Sequence, residues 1–109
     1  MRQEPCKVHG YLTPADAAVR DAVDAVRIDW SLPDCTDLAG DLLRFDFEGV
    51  FFPLEDVLAA LTPFASLALS GKIDVIDMEG WTLTRATFTN GDVRVSTVGL
   101  NHVLAYSGH

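Results

Sequence analysis

Apolar positions change period along the chain, and each change marks an element. Val19, Ala22, Val23 and Val26 recur at the spacing of one helical face, while Asp16, Arg20, Asp24 and Arg27 take the opposite face with alternating sign. Thr13 and Pro14 supply a start signal, a hydroxyl acceptor followed by the residue suited to the first helical position. The pattern predicts an amphipathic helix over residues 14–27. Residues 28–41 lose the period and hold Pro33, Gly40 and several aspartates, the composition of a loop with room for one helical turn. Leu43, Phe45 and Phe47 then alternate with Arg44, Asp46 and Glu48, the two-residue period of a strand with one wet face. Gly49 interrupts it, and residues 50–52 either extend the strand past a bulge or turn into the next element. Pro53 opens a second helix with Leu54, Val57, Leu58 and Leu61 on one stripe, Glu55 and Asp56 near the positive end of its dipole, and Pro63 as its stop.

The last third is rich in β-branched and aromatic residues over 72–78, 81–88 and 93–98. Asn90-Gly91 joins the latter two as a two-residue hairpin, placing Phe88 opposite Val93, Ala86 opposite Val95 and Arg85 opposite Ser96. That register predicts that Phe88, Ala86, Val93 and Val95 share the side facing the core. A turn at Glu79-Gly80 sets Asp74 opposite Arg85 and Ile76 opposite Leu83. Residues 7–12 leave room for a short strand broken by Gly10, and Leu100, Val103 and Leu104 suggest a short closing helix. The expected fold is α+β: one small domain over residues 1–109, with a mainly antiparallel sheet, a C-terminal three-stranded meander, one or two N-terminal strands, two main helices on one face and a short C-terminal helix.

Composition narrows the function classes. The 109 residues carry 8 basic and 16 acidic side chains, a formal charge of −8, which removes the attraction that dominates binding to nucleic acid and anionic membranes. The charge is uneven, with twelve of the acids in residues 1–56. No apolar run is long enough to span a bilayer. Cys6 and Cys35 could form a single bridge, but the first residues have no apolar signal core, so the expectation is reduced thiols and a cytoplasmic location.

Motifs for chemistry are sparse. Ser70-Gly71-Lys72 lacks both the upstream glycine and the downstream hydroxyl of a phosphate loop, and no cofactor is expected. Cys6 with His9, and Asp34 with Asp37, are the weak candidates for metal ligands, each with an ordinary structural explanation as buried thiol, surface imidazole or turn aspartate. His102 is the one weak catalytic candidate, as a general base if a carboxylate or Cys35 meets it in space. Met78, Trp81, Leu83 and Val98, with Ile76, fall on the sheet side opposite Phe88 and Val95, where a lone sheet is normally wet. They and Trp30 are the candidate interaction residues. The leading expectation is a non-enzymatic protein-interaction module that binds a protein partner or a second copy. The alternatives are a small enzyme or ligand-binding protein using His102 and a carboxylate, and an acidic inhibitor of a basic partner.

Overall fold

A computed structural model describes residues 5–100 and contains six strands and two α-helices. In chain order these are β1 (Cys6–Thr13), α1 (Ala17–Asp29), β2 (Thr36–Ala39), β3 (Leu42–Gly49), α2 (Leu54–Leu61), β4 (Ser70–Asp77), β5 (Thr82–Thr89) and β6 (Asp92–Gly99), with a 3₁₀ segment, Thr62–Leu67, after α2. The strands form one antiparallel sheet in the order β2-β3-β1-β4-β5-β6. Its first four strands and two helices follow the split β-α-β order of ferredoxin-like topologies. The β5–β6 hairpin extends that unit by two strands.

Alternation along β1 decides the layering. Cys6, Val8, Gly10 and Leu12 point toward the helices and Lys7, His9 and Tyr11 away, and the paired residues of β3 and β4 follow suit. Val8, Leu12, Leu43, Phe45, Phe47 and Ile73 therefore meet Val19 and Val23 of α1 and Val57 and Leu61 of α2 in one buried core. No helix of the described residues is long and apolar enough to cross a membrane.

Several boundaries differ from the periodicity reading. Thr13 ends β1, and Asp16 caps α1 by accepting from the Val19 N–H at 3.0 Å; the carboxylate takes the capping role expected of the threonine hydroxyl. The loop expected over residues 28–41 contains β2, a four-residue edge strand joined to β3 through Gly40-Asp41. The glycine adopts φ +63°, as a two-residue hairpin turn requires. Gly49 is the last residue of β3, so residues 50–53 form a loop. After Pro63 the chain does not leave the helix abruptly but tightens into the 3₁₀ segment. The closing helix expected near Leu104 falls outside the described residues.

The hairpin registers are as expected: Phe88 pairs with Val93, Ala86 with Val95, Asp74 with Arg85 and Ile76 with Leu83. The turn before β5 is wider, spanning residues 78–81, with Trp81 in the left-handed region at φ 57°. The core assignment holds only in part. Ala86 and Phe88 are buried, but Val93 and Val95, on the same side, are 43% and 53% exposed.

Gly10 sits where β1 passes close to the backbone of β4. A Cβ there would collide with the Lys72 carbonyl oxygen and lie 2.8 Å from the Ile73 Cα, both backbone groups that cannot swing aside. Gly10→Ala is therefore expected to lower the unfolding free energy by about 3 kcal/mol or to prevent folding. Gly99→Ala, where the added methyl meets nothing within 4 Å, is expected to change it by less than about 0.5 kcal/mol. Urea unfolding of the two variants checks the pair.

Candidate functional site

The helices leave part of their own side of the sheet uncovered. A groove of about 900 Å³ opens there, with the 50–53 loop and the start of α2 as one wall. Its floor runs from Val75 on β4 across Thr84 on β5 to Val95 and Thr97 on β6. Thr84 and Thr97 satisfy each other's hydroxyls across the strands at 2.9 Å, which leaves the floor largely methyl-surfaced. A smaller hollow of about 190 Å³ continues the strip beside Val93, bounded by Leu58, Leu61, Phe64 and Phe88. Leu58 borders both concavities.

An aromatic pair forms the rim. Trp30, at the C-cap of α1, stacks at a tilt on Phe51 with ring centroids 5.2 Å apart. Its indole N–H donates to the Asp56 carboxylate at 2.8 Å, which fixes the ring although it is 47% exposed. An immobilised, half-exposed tryptophan offers contact area at little entropic cost.

The charges sort by face. Lys7, Arg44, Lys72, Arg85 and Arg94, all five strand bases, point away from the helices, together with the acids Asp37, Asp46, Glu48, Asp74 and Asp92. There Arg85 holds Asp74 through two hydrogen bonds of 2.7 and 3.0 Å, Lys72 approaches Asp74 at 3.8 Å and His9 approaches Asp46 at 3.9 Å. The groove is different: Glu55, Asp56, Asp77 and Glu79 line it, with no basic side chain. Among the described residues none of these four carboxylates makes an ion pair within 4 Å. Asp77 also organises the 78–81 turn by accepting from the Glu79 and Gly80 N–H groups, each at 3.0 Å.

The residues singled out by sequence are distributed as follows. Leu83 and Val98 are cross-strand neighbours, with Ile76 beside them, on the face away from the helices. Met78 and Trp81 lie in the turn at the end of those strands, and Trp30 lies on the other side of the sheet. The five candidate interaction residues thus occupy two surfaces. Cys6 and His9, three apart on a strand, point to opposite faces. Asp34 accepts from the Thr36 N–H at 3.3 Å, and Asp37 lies across from Arg44 on the far face. No group of three or more potential metal ligands occurs among the described residues. His102 lies outside them. Sequence reasoning missed Phe51 and the groove carboxylates; the only local hint was Val50-Phe51-Phe52, three apolar residues after a strand-ending glycine.

Cys6 and Cys35 are free and buried. Burial raises both thiols. For Cys35 it does so with help from the charges of Asp34 and Asp24, to about 11, against the opposing effects of Arg27 and a backbone hydrogen bond. Cys6 lines the groove, and there a backbone hydrogen bond at Phe52 opposes burial while Asp77 reinforces it. Neither is an activated nucleophile.

A folded-state pKa above the unfolded 9.0 means that the unfolded chain releases the Cys35 proton first. The contribution is present below pH 9.0 and is lost as pH rises through about 11. Between those limits Cys35→Ala is expected to remove on the order of 1–2 kcal/mol of the pH-dependent loss of stability seen by urea unfolding. A wild-type slope in the variant would refute this assignment.

Comparison with protein-family models, with curated proteins and with solved structures finds no match to this chain, so its functional reading rests on the site itself.

Proposed function

We propose that the protein is a non-enzymatic interaction module whose contact element is the helix-side face of the β5–β6 hairpin, with Trp30 and Phe51 as its rim. The observation that carries this reading is the exposure of Val93 and Val95 on the side of the sheet that elsewhere forms the core. Apolar side chains so placed are stabilised only when another surface covers them. All eight residues of β6 are exposed, and no described strand pairs with its outer edge, so a partner finds both a face and an edge.

Among the described residues the groove holds no activated thiol and no histidine. Its one thiol is held protonated by burial, and the single described histidine within a strand, His9, points to the opposite face. Acids without bases along the groove favour a protein partner over nucleic acid. Two free buried thiols fit a reducing, cytoplasmic setting. The described carboxylates of residues 5–56 are divided between the two sides of the sheet, which disfavours the reading of this chain as an acidic inhibitor of a basic partner.

Valines that serve a contact rather than the core are dispensable for folding. The double variant Val93→Asp/Val95→Asp is expected to stay within about 1 kcal/mol of wild type in urea unfolding. It is also expected to lose an association that wild type retains, read as self-association by sedimentation across the micromolar range or as a protein co-purified from the source cells. Asp46→Lys, on the far face, should keep that association. Unfolding of the double variant, or identical association by all three proteins, would refute the reading.

A further inference from the structure

Resting on that interaction reading, we propose that the groove takes a basic amphipathic α-helix of a partner protein, laid beside α2 as a third helix of the layer. Width is the first argument. From β4 to β6 the floor spans two strand spacings, about 10 Å, which matches the diameter of one α-helix. Length is the second. The strip continues past Leu58 from the main groove to the hollow beside Val93, along an eight-residue strand of about 26 Å, the length of about 18 helical residues.

Chemistry is the third argument. Val75 and Val95 on the floor, with Leu54 and Leu58 on the wall, present an apolar strip to the underside of such a helix. Glu55 and Glu79 stand exposed at the groove without a basic partner among the described residues, so lysine or arginine on the flanks of the incoming helix completes them. The groove of a second copy is a poor occupant because it carries the same four acids and no base. The arrangement selects a helix whose apolar stripe runs its full length and whose cationic residues cluster toward the Thr97 end.

The probe is a synthetic helix of about 18 residues with leucine at helical spacing and lysine elsewhere, compared with its glutamate-for-lysine and serine-for-leucine counterparts. Fluorescence anisotropy with the whole protein is expected to give micromolar binding of the lysine–leucine helix and at least about tenfold weaker binding of both counterparts. Glu55→Lys/Glu79→Lys is expected to weaken it about tenfold. The far-face reversal Asp37→Lys/Asp46→Lys, equal in net charge, is expected to weaken it less than about twofold. Equal loss in the two reversals, or equal binding of the serine peptide, overturns the proposal in favour of diffuse charge attraction. Retention of a natural partner through Val93 and Val95 with no binding of the lysine–leucine helix overturns the occupant alone and leaves the interaction reading standing.

Discussion

Two α-helices side by side span about 20 Å, whereas six strands at their usual spacing need about 29 Å of cover. The rest of this molecule follows from that mismatch. Asp16 and Pro53 place α1 and α2 so that their stripes reach the inward residues of β1, β3 and β4 and the Ala86–Phe88 end of β5. The shortfall falls on β6 and on the Thr82–Thr84 end of β5. Nothing in the β5–β6 hairpin prevents its extension, since Asn90 and Gly91 both accept positive φ and the strands pair through eight residues each. Among the described residues the sheet therefore extends past the helical layer that covers it.

The most legible parts of the chain were those governed by local chemistry. The Asn90-Gly91 hairpin and the alternation of β3 could be read because one turn type and one period determine them. β1 was obscured by Gly10, which occupies an inward position where the period calls for an apolar side chain, because β4 passes too close to admit one. β2 was obscured by its length, with only Thr36 and Leu38 pointing inward, although Gly40-Asp41 is a recognised hairpin signal. Val93 and Val95 illustrate the deeper limit. Alternation tells which side of a sheet a residue takes, but whether anything covers that side depends on strand order, which no local pattern encodes. The groove was unreadable for the same reason, since the sheet order brings the 50–53 loop and α2 alongside β4–β6.

The charge pattern underwent a similar change of meaning. Along the chain, acids concentrate in residues 1–56, which suggests an acidic half and a neutral half. In space the division runs through the sheet. Strand alternation sends all five strand bases to the far face, where the carboxylates beside them balance the charge, and keeps them from the groove. The bidentate Asp74–Arg85 pair raises the guanidinium pKa through its hydrogen bonds and then through the charge of Asp74, consistent with a local partnership rather than a long-range one.

With the far face balanced, the acids of the helix side, only partly offset by Arg20 and Arg27, give the molecule an electric moment along the sheet normal, negative toward the helices. A charged neighbour exerts a torque on such a body before any atoms touch, and the torque acts over roughly a Debye length of about 8 Å in physiological salt. Lys7, Arg44, Lys72, Arg85 and Arg94, none of which lines the groove, thereby decide which way the protein faces when it meets a cationic surface.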